Sequence, residues 1–363
     1  MRNLRSLRSG TTWIRSGRIS TQRAGMAPVR RVVTGLVEVR MSTPRVTERT
    51  VATNGVELHV TEAGAGFPVV LCHGFPELGY SWRHQLPVLA AAGYHAMAPD
   101  QRGYGRSSRP ANVDDYDIVH LTGDLLGLLD SLGQERAVFV GHDWGAIILW
   151  QLALLAPERV AGVVGMSVPF LPRPPIPPVA LMRQALGDTF FYVTYFQEPG
   201  VADAELARDP AATMRRMLAG LTLPEGGVVD TAGFGANDGR GFVDRLPEPE
   251  RLPDWLTQDE LDHYVAEFTR TGFTGGINWY RNLDRNWALT DHVAGAKVTV
   301  PSLFIGGRVD PVVLMTPPSV MDGWLDDHRG TVLIDGAGHW VQQEKPDEVN
   351  AALLKFVADI TRG

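Results

Sequence analysis

Apolar runs bounded by glycine alternate with helical patterns along this chain, and that alternation restricts the fold more than any other feature. The runs FPVVLCHG and AVFVGHD have the composition of buried strands, and IVHLTGDLLGLLDSLG between them spaces its apolar residues along one helical face. A further helix is expected from Trp82 to Ala92. The pattern returns near the C-terminus with PSLFIGG, TVLIDGAG and the helical segment PDEVNAALLKFVADI. It predicts an α/β fold whose mostly parallel sheet carries helices on both faces.

A helical insertion divides this pattern into two halves. The segment PFLPRPPIPP has six prolines in ten residues, which neither a helix interior nor a central strand accommodates. We therefore predict a first half of the core over 46–170, a helical cap over 171–296 with a long loop at 220–255, and a second half of the core over 297–363. The cap follows the sixth strand, so we expect it to cover a site at the carboxyl ends of the strands.

Residues 1–45 have a different composition from the rest. The first forty residues contain nine arginines, no lysine and one acid, and they lack the long apolar stretch of a secretory signal. The segment fits a disordered tail or a start site set too early, with Met26 or Met41 as the true start. An organellar transit peptide is the alternative. In each case the segment lies outside the expected fold.

Composition excludes several classes of protein. The net charge is −7 despite the basic N-terminus, so the main body is acidic and does not favour nucleic-acid binding. No run of 18 apolar residues predicts a membrane span, and no His/Cys spacing or phosphate-binding glycine motif predicts a metal or a cofactor. The single cysteine, Cys72, is typical of a reducing compartment and favours the cytoplasm. The oligomeric state stays open, with a homodimer as one possibility.

The stretch FVGHDWGA, residues 139–146, predicts a strand that enters a tight turn framed by two glycines and then a helix. Asp143 stands at the centre of this turn, where a nucleophilic serine is common. Asp310 follows the strand run PSLFIGG, and His339 follows TVLIDGAG. The order nucleophile, acid, histidine is the chain order of α/β-hydrolases.

A carboxylate nucleophile suits only some reactions. It can attack an sp³ carbon that bears a leaving group or belongs to a strained ring, and the product is an ester. Water activated by His339 can then hydrolyse this ester, whereas an alkylated serine would be a stable ether. Asp310 would orient His339. The backbone N–H groups of Trp144 and of the HGFP loop, at Phe75, would form the oxyanion hole.

Simpler interpretations of these residues exist. Asp143 could be a helix N-cap, His339 a packing histidine and Asp310 a turn former. The loop after VAGVVGMSV is the other place where an acid could stand, but it offers no carboxylate between Gly165 and Pro177. That absence favours Asp310.

Several separate motifs resemble the soluble epoxide hydrolases of the α/β-hydrolase fold over about residues 46–360. CHGFPELGYSWRHQ, APDQRGYGRSS and VGHDWGA are similar to that family's core motifs, and GHWVQQEKPDEVN to its histidine region. HGFP and HDWG also occur in haloalkane and fluoroacetate dehalogenases. The segments YFQEPGVADAEL and GGINWYRNLDRNW resemble the cap of epoxide hydrolases more specifically.

The resemblance implies further site residues. Family members use two cap tyrosines to hydrogen-bond the epoxide oxygen and protonate the alkoxide, and NWYRN places one at Tyr280. The family's register places the second at Tyr192, with Tyr195 as the alternative and as a candidate substrate contact. His73 and Pro76 of the HGFP loop are further candidate contacts, although His73 also fits a structural hydrogen-bonding role.

The function implied is conversion of a small apolar epoxide and water to a vicinal diol, without metal or cofactor. One alternative is a dehalogenase that uses the same Asp143, but the HGFP loop has phenylalanine where haloalkane dehalogenases typically have asparagine. Another is a non-catalytic ligand receptor of the same fold, which would not require Asp143, Asp310, His339 and Tyr280 together. The identity of the epoxide and the selectivity of attack are not readable from the sequence.

Overall fold

The computed structural model describes residues 44–220 and 234–362. The predicted leader lies outside the described residues except for its last two positions, and the predicted loop at 220–255 lies partly outside them. Within these ranges, no helix is both long enough and apolar enough to cross a membrane.

An eight-stranded sheet forms the centre of the fold, with strands in the order β1-β2-β4-β3-β5-β6-β9-β10. Its strands are β1 (Val46–Thr53), β2 (Val56–Ala63), β3 (Phe67–Cys72), β4 (Tyr94–Pro99), β5 (Ala137–His142), β6 (Val160–Met166), β9 (Ser302–Gly307) and β10 (His328–Ile334). β2 runs antiparallel to both β1 and β4, and the other pairs are parallel. The carboxyl ends of β3, β5, β6 and β9 therefore meet at one edge.

Helices cover both faces of this sheet, as the sequence predicts. The core helices are α1 (Leu86–Ala91), α2 (Ile118–Ser131), α3 (Trp144–Leu155), α11 (Pro311–Met315), α12 (Val341–Glu344) and α13 (Pro346–Thr361). In β5, Val138 belongs to the apolar cluster that contains Leu353 of α13, and Phe139 belongs to the opposite cluster with Leu125 of α2. Alternate side chains of one strand thus pack on opposite layers.

The helix expected from Trp82 to Ala92 is shorter than predicted. It begins at Leu86, with Pro87 in its first turn, and a 3₁₀ turn occupies Gly79–Trp82. Proline has no N–H to donate and is tolerated only in the first turn of a helix, so the helix cannot extend back through it.

A second group of helices lies between β6 and β9. They are α4 (Pro178–Leu186), α5 (Tyr192–Tyr195), α6 (Val201–Arg208), α7 (Pro210–Gly220), α8 (Gln258–Thr271), α9 (Thr274–Arg281) and α10 (Leu283–Leu289), with the two-residue strands β7 (Phe190–Phe191) and β8 (Phe234–Gly235) paired among them. The α/β fold with a helical cap after the sixth strand is confirmed. The predicted domain limits at 170/171 and 296/297 fall in irregular segments on either side of this group.

Close backbone contact joins the cap to the core. Gly275 of α9 packs so tightly against Gly103 that an added Cβ would lie 2.3 Å from the Gly103 carbonyl oxygen. Arg83 of the core pairs with Glu260 of α8 at 2.7 Å. α9, which carries Tyr280, is thereby held directly over the carboxyl edge of the sheet.

Candidate active site

Asp143 occupies a strained turn between β5 and α3. Its φ is 52° and its ψ is −121°, which a residue with a side chain rarely adopts. The turn also requires glycine at its far side, because a Cβ on Gly145 would lie 2.1 Å from the carbonyl oxygen of Cys72. This geometry projects the Asp143 side chain from the carboxyl end of β5 toward the cap.

Two backbone N–H groups hold the Asp143 carboxylate. The N–H of Phe75 donates to Oδ1 at 2.9 Å, and the N–H of Trp144 also hydrogen-bonds to the carboxylate. These are the two groups that the sequence predicts for the oxyanion hole. Oδ1 is thus already where negative charge would develop in a tetrahedral intermediate.

His339 lies between the two predicted acids. Its Nε2 is 3.9 Å from Oδ2 of Asp143, and its Nδ1 is 3.2 Å from Oδ1 of Asp310. The structure therefore brings together the carboxylate that faces the cap, the histidine and the second carboxylate, in the arrangement expected of a nucleophile, a base and the residue that orients the base.

Burial and charge act in opposite directions on these three groups. Burial raises the pKa of Asp143 above its ordinary value, and the nearby His339 only partly opposes this. Burial also disfavours charge on His339, but the carboxylates of Asp310 and Asp143 outweigh it and raise the pKa of His339 to about 9. For Asp310, burial is outweighed by His339, so its pKa is lowered. An imidazolium flanked by two carboxylates is the resting state that these shifts predict.

Glu77 was not among the residues predicted from sequence, yet it connects three parts of the site. Its fully buried carboxylate accepts hydrogen bonds from His142 Nδ1 at 2.6 Å and from the Gly74 N–H at 3.2 Å. It also accepts from the side chains of Gln342 at 2.8 Å and Gln343 at 3.0 Å. The HGFP loop, the residue before the nucleophile and the helix after His339 are thus joined through one carboxylate.

His142 continues this connection to His339. Its Nε2 is 2.7 Å from the carbonyl oxygen of His339, while its Nδ1 faces Glu77. Both ring nitrogens face acceptors, so both hydrogen bonds form when each nitrogen carries a proton. Burial raises the pKa of Glu77, but His142 outweighs it and lowers that pKa to about 2.

Glu344 holds the backbone on both sides of His339. One of its oxygens accepts from the Gly338 N–H at 2.7 Å and the other from the Trp340 N–H at 2.9 Å. Glu344 is the last residue of α12, in the charged segment EKPDE, and its spacing from His339 gives no sign of this role. Its two hydrogen bonds restrict the loop from which the imidazole projects.

The HGFP loop is itself held from behind by His73. Its Nδ1 is 2.9 Å from the carbonyl oxygen of Gly74, and its Nε2 accepts from the Gln101 N–H at 3.0 Å. Both nitrogens of this buried ring thus hydrogen-bond to backbone groups, as expected if His73 has a structural hydrogen-bonding role. Pro76 follows Phe75 through a cis peptide bond and is buried in the same loop. Substrate contact by His73 or Pro76 stays a prediction.

Tyr280 lies above the nucleophile and is nearly inaccessible to solvent. Its ring centroid is 5.0 Å from that of Trp144 and 5.5 Å from that of Phe75, the two residues whose N–H groups hold Asp143. The indole of Trp144 also hydrogen-bonds to the Tyr280 hydroxyl. Since the indole can only donate, the phenol keeps its own proton for another acceptor.

The structure distinguishes the two possible partners of Tyr280. The ring of Tyr192 is 5.9 Å from that of Tyr280, and the Asp143 carboxylate contributes to its electrostatic surroundings. Tyr195 instead hydrogen-bonds to Glu205 and packs at 5.3 Å on Phe190. Burial raises the pKa of both Tyr192 and Tyr280, so both phenols stay protonated near neutral pH.

Comparison with known proteins identifies the fold and the family of this chain. A family profile described as the alpha/beta hydrolase fold matches residues 68–346. Epoxide hydrolase A of Mycobacterium tuberculosis is 59% identical over 86% of this chain and 98% of its own length. Epoxide hydrolase 1 of Siraitia grosvenorii is 42% identical over 86% of this chain and 98% of its own.

A solved structure of a related epoxide hydrolase is also similar to this chain. The crystal structure of epoxide hydrolase A from Mycobacterium thermoresistibile superposes with a TM-score of 0.81 at 59% identity, and the match covers 86% of this chain and 98% of that one. The chain therefore belongs to the epoxide hydrolases of the α/β-hydrolase fold.

Proposed function

We propose that this protein hydrolyses apolar epoxides to vicinal diols through a covalent ester on Asp143. The observation that carries the proposal is the unequal environment of the two Asp143 oxygens. Oδ1 accepts from the Phe75 N–H at 2.9 Å, while Oδ2 is directed toward His339 at 3.9 Å. Oδ2 is thus the oxygen available for attack on a substrate held beneath Tyr280.

In the first step, Oδ2 attacks one epoxide carbon and the carbon–oxygen bond of the strained ring breaks. The departing alkoxide is far more basic than a phenolate, so it takes a proton from Tyr280 or Tyr192. The product is a hydroxyalkyl ester of Asp143. Before this step the carboxylate of Asp143 helps to keep His339 protonated, and ester formation removes that charge.

With that charge gone, the His339 imidazolium gives up its proton, which restores the ionised tyrosine and leaves His339 neutral. In the second step, neutral His339 takes a proton from a water molecule, and the water oxygen attacks Cγ of Asp143. The N–H groups of Phe75 and Trp144 stabilise the resulting oxyanion. The bond from Cγ to the ester oxygen then breaks, the diol leaves with that oxygen, and its proton returns from His339. The carboxylic acid left on Asp143 then gives its proton to His339, which restores the resting carboxylate and imidazolium. The sum of the two steps is epoxide plus water giving diol.

The same carboxylate could displace a halide, but the position of Trp144 favours an epoxide. A dehalogenase would use the indole N–H as a halide donor, whereas here the indole hydrogen-bonds to the Tyr280 hydroxyl. The mostly aromatic surroundings of Tyr280, which include Phe75 and Phe196, suit an apolar substrate.

Single-turnover labelling tests the proposal. Excess enzyme is mixed with styrene oxide in H₂¹⁸O, and the Asp143 peptide and the diol are analysed by mass spectrometry. We expect ¹⁸O in the peptide and an unlabelled first-turnover diol. Label in the diol alone would mean direct attack by water and would remove Asp143 as the nucleophile. Asp143→Asn should form neither ester nor diol.

We also propose a cytoplasmic location, since the single cysteine, Cys72, is a free thiol buried in β3, as is typical of a protein from a reducing compartment. Fluorescence microscopy of a C-terminally tagged full-length chain tests this, and accumulation in an organelle would favour the transit-peptide interpretation of residues 1–45.

A further inference from the structure

Ser167 is a fully buried residue directly after β6, and its hydroxyl contacts two members of the triad. It donates a hydrogen bond to Oδ2 of Asp310. The same oxygen lies 2.9 Å from Nδ1 of His339, closer than the 3.2 Å between that nitrogen and Oδ1 of Asp310. The serine oxygen is therefore the nearer of the two acceptors for the Nδ1 proton.

The directions of these hydrogen bonds follow from the atoms available. A hydroxyl has one proton, which Ser167 gives to the carboxylate, and its lone pairs remain free to accept from His339 Nδ1–H. The Nδ1 proton is then shared between Ser167 and Asp310. The three side chains form a closed ring of hydrogen bonds in which Asp310 acts on His339 both directly and through the serine.

The backbone at Ser167 is strained, and a strained backbone is often found where a residue has a functional role. Its φ is 67°, and the Val168 N–H bonds back to the Met166 carbonyl at 2.8 Å to close a tight turn. Such γ-turns with positive φ are rare in proteins, and glycine suits them better than serine. The Ser167 N–H still pairs with the Ile305 carbonyl at 3.0 Å, so the sheet fixes the residue in place.

We propose that Ser167 is a positioning residue for the second half of the reaction, in which the ester on Asp143 is hydrolysed. This inference rests on the proposed function. Ser167 holds the imidazole by Nδ1 so that Nε2 faces the nucleophile. Ester formation needs no base, because Asp143 attacks directly, so loss of the hydroxyl acts on the decay of the ester and leaves its formation largely unaffected.

Two variants and a control separate this role from a structural one. Ser167→Ala removes the hydroxyl, and Ser167→Gly removes it while relieving the backbone strain. Ser302→Ala is the matched control, since Ser302 is equally buried at the far end of β9 and its hydroxyl only meets the Asp327 carbonyl at 3.3 Å. Ester formation and decay with styrene oxide are followed by rapid chemical quench and intact-protein mass spectrometry.

We expect ester decay to slow about tenfold in both Ser167 variants, the factor that one ordinary hydrogen bond would supply, with ester formation within about threefold of the unaltered protein. The ester then accumulates during steady-state turnover. Equal slowing of both steps would overturn the proposal. So would slow decay in the alanine variant with normal decay in the glycine variant, because the backbone would then be the cause.

A second measurement needs no substrate and so stands apart from the proposed function. The downfield proton NMR resonance of His339 Nδ1–H, assigned by its loss in His339→Gln, should shift in Ser167→Ala and stay in place in Ser302→Ala. An unmoved resonance in Ser167→Ala would overturn the inferred hydrogen bond. Failure of the unaltered protein to form any ester, with the resonance shifted as expected, would instead reject the proposed function.

Discussion

Glu77 and His142 form a hydrogen-bonded pair from which solvent is fully excluded, with 2.6 Å between the carboxylate oxygen and Nδ1. The pair lies directly behind the nucleophile, since His142 precedes Asp143 in the turn. A buried carboxylate held in this way is costly to remove, because its hydrogen-bond donors are then left without compensation.

Glu77→Gln should therefore lower the free energy of unfolding by about 3–5 kcal/mol. Urea denaturation followed by circular dichroism measures this. Asp359→Asn, which removes the exposed ion pair with Lys355, is the control and should have a far smaller effect.

The same carboxylate should make stability depend on pH, because the pKa of Glu77 is lowered from 4.5 to about 2. Its contribution to stability is thus fully present above pH 4.5 and is lost as the pH falls toward 2. Equal acid sensitivity of Glu77→Gln and the unaltered protein would contradict this.

His339→Gln should separate the two chemical steps. The glutamine cannot act as a base, so we expect Asp143 to be alkylated and the ester to persist, with kcat reduced by about 10²–10⁴. Intact-protein mass spectrometry after incubation with styrene oxide should show one substrate mass added per chain. An unmodified protein with no turnover would show that His339 is also required for ester formation.

The cap tyrosines Tyr280 and Tyr192 should each contribute more to ester formation than a third tyrosine, Tyr195. Tyr280→Phe and Tyr192→Phe each remove a proton donor for the alkoxide and should slow ester formation by about 10²-fold or more. Tyr195→Phe should have a smaller effect than Tyr192→Phe, because its hydroxyl already bonds to Glu205. Tyr94→Phe is the control, since Tyr94 meets Thr361 at 3.3 Å at the opposite end of the sheet. A larger loss in Tyr195→Phe than in Tyr192→Phe would reverse the assignment.

The pH dependence of kcat/KM should reflect Asp143 on the acid side. Attack requires the carboxylate, and burial raises its pKa above the ordinary 3.8, so activity should fall as the pH drops through a value higher than 3.8. On the alkaline side, burial raises the pKa of Tyr280 well above 10, so the donor should stay protonated up to pH 10. Initial rates across a pH series at low substrate concentration measure both limbs. Loss of kcat/KM near pH 8 would mean that another group controls the first step.

The proximity of Asp143, Asp310 and His339 could be predicted from the sequence because a parallel sheet brings strand ends together. Asp143, Asp310 and His339 each follow an apolar run, and no contact had to be known to predict that they meet. Glu77 is different: its partners His142 and Gln342 are 65 and 265 residues away in the chain, and its charge makes it look like an ordinary loop residue.

Two other features could not be predicted from the sequence, for related reasons. Tyr192 and Tyr195 lie within one helical turn, so spacing alone could not decide which of them meets Tyr280. The loop after β6 contains no carboxylate, but a hydroxyl contact such as that of Ser167 depends on a backbone angle that composition does not reveal. Sequence patterns show which chemical groups are present, whereas the contacts of Tyr192 and Ser167 depend on the direction in which each side chain leaves the backbone.

The Phe75 N–H that holds Oδ1 of Asp143 affects where each oxygen atom goes over many cycles of the proposed reaction. Under the proposed mechanism, Oδ2 should leave in every diol and be replaced from water, while Oδ1, held by the Phe75 N–H, should stay in place. The enzyme thus renews one half of its own nucleophile at each turnover and conserves the other. After prolonged turnover in H₂¹⁸O the side chain should hold a single heavy oxygen. A second heavy oxygen would show that the carboxylate had rotated between turnovers.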